Sequence, residues 1–432
     1  MRYAVISRTL AISQLEAEVK RCGGRNLKVA VASKQVFCDL EPAAIDKLKA
    51  TGCVVSKVGG VRATVMPPIV MPPTPVAAAP VYTPGELAWA IGLEEIRTIF
   101  EPPLYGEGMN LAIIDSGIRK THEKINGRVI YEKNYTDDPM GDGFDHGTGV
   151  CSIVLAIVPL CNILSLKVLN DRGEGTEEDV ALAIDDCINL HDTNPNIAPT
   201  VINLSLGGPD DANPDNPLRV ACRAAIEKGI YVHASAGNSG PVSYTITCPA
   251  CEKYVFAIGS AKYFSEEGSF VVSEFSSRGP TFEGLIKPDV VMFGEDISVA
   301  SSVSDTATTA KTGTSFATPF CSGMHLLYHE SVAKWVTYEV ERLPGVLPRG
   351  AIGPDVVSPA VMVEDFLPRI CTKPSPVAAG KDNDYGNGIP LGSLVYQALT
   401  AIPAVDISTI LTPVLAIMMM GMIIVPITKA MK

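Results

Sequence analysis

Three short segments carry an acid, an imidazole and a hydroxyl, each among glycines or small residues. Leu-Ala-Ile-Ile-Asp-Ser-Gly, Leu111–Gly117, is an apolar run ending in Asp115. Asp-His-Gly-Thr-Gly-Val, Asp145–Val150, sets His146 at the start of a helix with Val150, Ile153, Val154 and Ile157 on one face. Gly-Thr-Ser-Phe-Ala-Thr-Pro, Gly313–Pro319, sets Ser315 ahead of an apolar helix running through Leu327. Each alone says little, because many α/β proteins end a strand on Asp and a His at a helix start often serves as a cap. Together they are what nucleophilic catalysis requires. A serine hydroxyl attacks poorly until an imidazole takes its proton, and a carboxylate must orient and stabilise that imidazole. The chain order Asp, His, Ser differs from that of the chymotrypsin and α/β-hydrolase types, and no Gly-x-Ser-x-Gly elbow surrounds Ser315.

The elements that must position these residues read as alternating buried strands and amphipathic helices from about residue 86 to 400. Leu111–Ile114, Ile163–Val168, Val201–Leu206, Ile230–Ala234 and Val255–Ile258 are short, nearly continuous apolar runs, the pattern of strands covered on both faces. Thr176 caps a helix whose Val180, Ala183, Ile184, Cys187 and Ile188 share a face. Asn216, Pro217 and Gly229 mark the start and end of another. Such alternation predicts an α/β fold with a mainly parallel central sheet and helices on both faces.

On these segments the chain resembles the subtilisin-like serine proteases, the subtilases, over about Trp89 to Leu399. The resemblance implies the family's three-layer fold and peptide-bond hydrolysis, with Asp115 orienting, His146 as general base and Ser315 as nucleophile. Ser-Ala-Gly-Asn-Ser-Gly, Ser235–Gly240, resembles the family's oxyanion segment. By that likeness Asn238, with the backbone N–H of Ser315, stabilises the tetrahedral intermediate. Gly173, Glu174 and Gly175, then Ser205, Leu206 and Gly207, resemble the two walls that hold a peptide as an added strand, with Ala236 and Gly237 lining the same cleft. Gly149 departs from the pattern, standing where many subtilases have a second histidine. The inserted loop that binds tight calcium in several relatives is absent after the His146 helix. No metal or cofactor is therefore expected in the chemistry, and the acidic pairs Asp137-Asp138 and Asp210-Asp211 are left as weak structural calcium sites at most.

Ahead of this domain, residues 1–60 read as β-α-β-β-α-β, the order of a ferredoxin-like α+β unit. The elements are strand Tyr3–Ser7, helix Ile12–Cys22, strands Lys28–Ala32 and Val36–Leu40, helix Pro42–Thr51 and strand Val54–Val58. The family resemblance makes this unit a prodomain, an intramolecular inhibitor removed by self-cleavage between about Val58 and Val65. Residues 61–85 carry Pro67, Pro68, Pro72, Pro73, Pro75, Pro80 and Pro84 and are expected to be an extended linker. A catalytically silent binding or structural protein on the same fold, its N-terminal unit permanently in the cleft, is the alternative.

The remaining expectations come from composition. Lys+Arg 35 against Asp+Glu 47 leaves the chain without the basic footprint that phosphate binding needs, so nucleic acid is not an expected partner. The 11 cysteines are scattered and odd in number, as thiols used for packing in a reducing setting would be. Cys248-Pro-Ala-Cys251 is read as a structural turn, and His325 and His329 as packing residues rather than ligands. No apolar run near the N-terminus has the length of a secretory h-region. Ile407 to Thr428 is free of charge and, if helical, roughly 33 Å long, enough to cross a bilayer. It is expected to tether the protein to a membrane as a single C-terminal span, with the side of the catalytic domain open.

Overall fold

The structure, a computed structural model, describes residues 1–66, 81–98, 103–342 and 367–392. Its first unit comprises β1 (Arg2–Ile6), α1 (Ile12–Arg21), β2 (Arg25–Ala30), β3 (Gln35–Asp39), α2 (Pro42–Ala50) and β4 (Val54–Lys57). The strands form an antiparallel sheet in the order β2-β3-β1-β4, so the first and third are central, as in a ferredoxin-like unit. Period-two alternation divides its side chains between two cores. Val5, Val36 and Cys38 meet Leu15, Val19 and Leu48 of the two helices, while Ala4, Ala30 and Phe37 turn toward the larger domain.

A short strand, β5 (Gly60–Ala63), follows, and then helices α3 (Pro84–Ala90) and α4 (Leu93–Thr98). The expected linker is thus shorter than 61–85. Gly60–Ala63 finds partners on both sides and becomes a strand, and Thr83 accepts a hydrogen bond from the Glu86 amide, starting a helix at Pro84. Most of the prolines lie within residues 67–80, outside the described residues, as does the expected span 407–428. Among the described residues no helix is long and apolar enough to cross a membrane.

The larger domain continues with β6 (Asn110–Asp115), β7 (Val129–Asn134), α5 (Gly147–Ile157), β8 (Asn162–Lys167), β9 (Glu174–Thr176) and α6 (Glu177–Thr193). Next come β10 (Val201–Leu204), β11 (Leu206–Gly207), α7 (Pro217–Glu227), β12 (Tyr231–Ser235), β13 (Phe256–Phe264), β14 (Ser269–Val272) and β15 (Val290–Phe293). The hairpin β16 (Ile297–Ala300) and β17 (Thr308–Lys311) leads into α8 (Thr314–Arg342).

An eight-stranded sheet runs β14-β13-β12-β10-β6-β8-β7, with β15 beside β13, and every pair is parallel except β13 with β14. Alternation along the strands builds its two faces. Leu111 and Ile113 of β6, Val201 of β10 and Tyr231 of β12 join one core with α5 and α8. Ala112 and Ile114, Ile202 and Leu204, and Val232 and Ala234 join the other with α6 and α7. Three layers result, and the N-terminal sheet lies against the α6–α7 face.

Several strands are offset from expectation by a few residues, β2 and β13 among them, and two of the differences bear on the cleft. Val201–Leu206 is not one strand: the chain leaves the sheet at Ser205, and Leu206–Gly207 pairs with β5 instead. Val54–Lys57 ends before Gly59, whose amide donates to the carboxylate of Glu177 at 2.7 Å and redirects the chain into β5.

Candidate active site

Asp115, His146, Ser205, Ser235 and Ser315 lie at or just beyond the carboxyl ends of parallel strands or at the starts of α5 and α8, where open α/β sheets collect their ligand-contacting groups. Asp115 closes β6 and is fully buried. Its Oδ1 accepts from His146 Nδ1 at 2.7 Å and from the Ser116 amide at 2.7 Å. His146 is 1% exposed, and the ring of Phe316 meets it edge-on with centroids 5.2 Å apart. Its other nitrogen, Nε2, is buried without a hydrogen-bond partner among the described residues.

Asp142 holds the His146 turn from below, and nothing in the local sequence singled it out. One carboxylate oxygen accepts from Ser116 Oγ at 2.8 Å and the His146 amide at 3.3 Å, the other from the Thr148 amide at 2.9 Å. Burial pushes this carboxyl above its ordinary range, against the hydrogen bonds from Thr148 and Ser116. At Gly149 a side chain would meet Val299 Cγ2 at 2.9 Å, so that position of α5 is closed by packing.

Ser315 is at the start of α8 and fully buried. Pro319, four residues on, has no N–H to give the Ser315 carbonyl. Ser205 Oγ donates to that carbonyl instead, at 2.8 Å, and Ser315 Oγ donates to the Ser205 carbonyl at 2.8 Å. The serine hydroxyl therefore faces the Ser205 carbonyl and the Thr64 hydroxyl, whose Oγ1 is 2.5 Å away, and the Asp115–His146 pair stands beside it without a direct hydrogen bond.

The cleft holds part of the same chain. β5 lies between β11 and β9, antiparallel to both, pairing Ala63 with Leu206, Arg62 with Gly207 and Glu174, and Val61 with Gly175. The Ala63 amide donates to the Gly173 carbonyl at 3.1 Å, the Thr64 amide to the Ser205 carbonyl at 3.4 Å, and the Met66 amide to the Thr312 carbonyl at 3.1 Å. Asn238 Nδ2 donates to the Thr64 carbonyl at 2.6 Å. Gly313, with φ at 150°, passes so close that a Cβ there would stand 2.6 Å from the same oxygen. Ala236 and Gly237 lie beyond, the first bonded to the Ile258 carbonyl at 2.9 Å.

Gly173, Glu174, Gly175, Ser205, Leu206 and Gly207 thus lie along one added strand, with Asn238 and Ser315 at its end. Thr64 falls within the Val58–Val65 stretch expected to enter the cleft, but its contact with Asn238, and the part played by Thr314, have no local signal in the sequence. Thr314 lies inside a segment already singled out, but the partner of its hydroxyl is 76 positions away.

The remaining candidates stand apart from this cleft. Asp138 and Asp210 each accept a backbone amide, of Asp171 at 2.7 Å and of Ala212 at 3.0 Å. No three His, Cys, Asp or Glu side chains converge on a metal-binding arrangement among the described residues. Cys248 and Cys251 are buried free thiols, Cys248 directly after Thr247 and paired through its backbone with Gly208. His325 meets His233, with nitrogens 2.8 Å apart.

Residues 106–388 match the family model of the subtilase family. Serine protease AprX of Bacillus subtilis (strain 168) is 31% identical over 271 residues, covering 56% of this chain and 61% of that protein. Subtilisin of Bacillus sp. (strain TA39) is 28% identical over 243 residues, covering 51% of this chain and 56% of that protein. The chain therefore spans about three-fifths of the length of these relatives. Among solved structures, fervidolysin from Fervidobacterium pennivorans, a keratinolytic enzyme related to subtilisin, superposes with a TM-score of 0.63 at 20% identity, covering 92% of this chain and 60% of that one. The S41 psychrophilic protease superposes with a TM-score of 0.54 at 23% identity, covering 69% of this chain and 97% of that one. Both show the fold.

Proposed function

The chain belongs to the subtilase family, and on that basis we propose that it is a serine endopeptidase whose first substrate is its own Thr64–Val65 bond. The observation that carries this reading is the seat of the Thr64 carbonyl, hydrogen-bonded by Asn238 at 2.6 Å at the end of a strand held on both sides. In the proposed reaction Ser315 Oγ turns from the Ser205 carbonyl to His146 Nε2, gives up its proton there and attacks the Thr64 carbonyl carbon. Asp115 orients the imidazole and stabilises its charge. Asn238 binds the developing oxyanion, where a preorganised donor is worth most. The proton passes from His146 to the departing Val65 nitrogen, leaving an ester on Ser315 that water then hydrolyses, releasing Thr64 as a free carboxylate. No metal or cofactor enters these steps.

The N-terminal unit in this reading is an intramolecular inhibitor that stays docked after the cut. Polypeptides are the later substrates, entering by the same strand pairing between Gly173–Gly175 and Ser205–Gly207. Tethering through residues 407–428 belongs to the proposal on sequence grounds alone, and partition of the full chain into carbonate-washed membranes tests it. A silent scaffold is the second reading, and it draws on one observation, that Ser315 Oγ bonds Ser205 rather than His146.

A fluorophosphonate probe on the full chain, with mass analysis of the products, tests the proposal. Labelling at Ser315 and an N-terminal fragment ending at Thr64 are expected, with Ser315→Ala staying intact and unlabelled. An unlabelled, intact wild-type chain would establish the scaffold reading.

A further inference from the structure

The place that receives the Thr64 side chain is short and polar, and the strand walls explain why. Thr64 Oγ1 lies 2.5 Å from Ser315 Oγ and 2.6 Å from Ser235 Oγ, and 3.3 Å from the Ser205 carbonyl, so Ser235 is its nearest hydroxyl partner apart from the nucleophile itself. All three serines are fully buried. Beside them the Leu206–Gly207 and Ala236–Gly237 segments run as two walls, and the side chain of Thr247 stands between them. A Cβ on Gly207 would lie 2.8 Å from Thr247 Oγ1, and a Cβ on Gly237 would lie 2.7 Å from Thr247 Cγ2. Only glycine at both positions lets the walls close on it.

Thr247 is also fixed in place. Its hydroxyl contacts the Ser235 and Ala236 carbonyls, each at 3.2 Å, and its amide donates to the Ala236 carbonyl at 2.9 Å. The next residue, Cys248, exchanges two backbone hydrogen bonds with Gly208, both 2.9 Å. A side chain held at this many points does not swing aside for a larger guest. An aromatic or long aliphatic residue entering between the walls would meet the Thr247 side chain.

We infer that Thr247 shortens the subsite for the residue preceding the cut, that Ser235 reads a hydroxyl there, and that the protein selects polypeptides with Thr or Ser at that position over bulky apolar ones. The inference rests on the endopeptidase reading above and names its substrate class. A pocket built to hydrogen-bond a hydroxyl rejects an isostere lacking it more strongly than an apolar pocket rejects an extra methyl group. Thr should therefore be preferred to Val as well as to Phe.

The test uses the full-length chain after self-processing and a set of peptides differing only in the residue before the cut, Thr, Ser, Val or Phe. The expected ratio of kcat/KM is at least about 100-fold both for Thr over Phe and for Thr over Val. Thr247→Gly should raise the Phe peptide at least about tenfold relative to Thr, and Ser235→Ala should bring Thr and Val close together while leaving Phe disfavoured. Phe cut as fast as Thr by the wild type, or a ratio unmoved by Thr247→Gly, would overturn the inference. Should Thr247→Gly fail to fold, self-cleavage with Thr247 intact supplies the readout. Thr64→Phe should slow release of the N-terminal fragment by at least about tenfold against Thr64→Ser, and equal rates would overturn it. Hydrolysis without preference removes this inference and leaves the endopeptidase reading standing. No hydrolysis and no fluorophosphonate labelling would remove both.

Discussion

Asn238 and Thr64, 174 positions apart, meet at 2.6 Å, with the side-chain amide donating to the backbone carbonyl. Thr314 fixes which way that amide faces, because its N–H and hydroxyl both donate to Asn238 Oδ1, at 3.0 and 2.9 Å. Asn238→Ala should lower kcat by about 10²–10³ while KM changes little, since the donor acts chiefly on the oxyanion. Initial-rate kinetics on a small peptide checks this. A raised KM at constant kcat would place Asn238 in ground-state binding. Thr314→Val, which keeps the N–H bond and loses the hydroxyl, should give a smaller fall in the same parameter.

The 2.7 Å contact between His146 Nδ1 and Asp115 Oδ1 makes a second, sharper prediction. Asp115→Asn preserves the shape of the site but presents an amide to Nδ1, favouring the tautomer that leaves Nε2 protonated and unable to act as base. The expected loss in kcat is about 10⁴-fold, with the fold unchanged by circular dichroism. Ser315→Ala should cost roughly 10⁶-fold. Residual turnover of a few per cent in either variant would reject these roles.

The difference between what was legible in the sequence and what was not is a difference of range. Asp115, His146, Ser315 and Asn238 each sit in a local pattern, a strand end or a helix start, that advertises itself within seven residues. The strands buried on both faces were equally plain. Other features depend on contacts that no local window contains. Val129–Asn134 carries Tyr131, Glu132 and Lys133 at an edge of the sheet and lacks the apolar run that marked its neighbours. The split of Val201–Leu206 at Ser205 follows from pairing with residues 62 and 63, and the bend at Gly59 from a carboxylate 118 positions away. Thr64 and Thr247 look like ordinary loop threonines until the fold sets them beside Ser235.

The N-terminal unit is held at the amino end of α6. Arg2 grips both carboxylate oxygens of Glu178, at 2.5 and 2.8 Å, and Lys28 reaches the same group at 3.1 Å. Against the upward push of burial, these two cations hold the Glu178 carboxyl below its ordinary range. Glu178→Gln would leave Arg2 and Lys28 only their longer pairings, with Asp39 and Asp179 at 3.8 Å each, in a part-buried contact. After self-cleavage the unit should leave the variant about 10–100 times faster than it leaves the wild type. The rate at which peptidase activity appears on dilution reports this, and an unchanged rate would show that the ion pair contributes nothing to docking.

The last prediction concerns acid stability and rests on the other side of the sheet. His233 on β12 and His325 on α8 face each other with nitrogens 2.8 Å apart, His233 stacked on Phe256 and His325 tilted against Tyr231, and both are buried. Burial pushes His233 down to about 3, and burial together with the neighbouring His233 and His329 holds His325 well below its ordinary value. In the unfolded chain both titrate near 6.5. Between those values the unfolded chain binds protons that the folded one refuses, so stability rises with pH across the window. The contribution is complete above about pH 6.5 and is lost progressively as the pH falls toward about 3. Between pH 7 and 4.5 the pair should cost the fold on the order of a few kcal/mol. His325→Phe removes one of the two titrating groups and keeps the ring packing against Tyr231, so it should flatten that dependence by about half. Urea unfolding of the Ser315→Ala chain with and without His325→Phe at the two pH values measures the difference free of self-digestion. Identical slopes in the two chains would assign the acid sensitivity to carboxylates elsewhere.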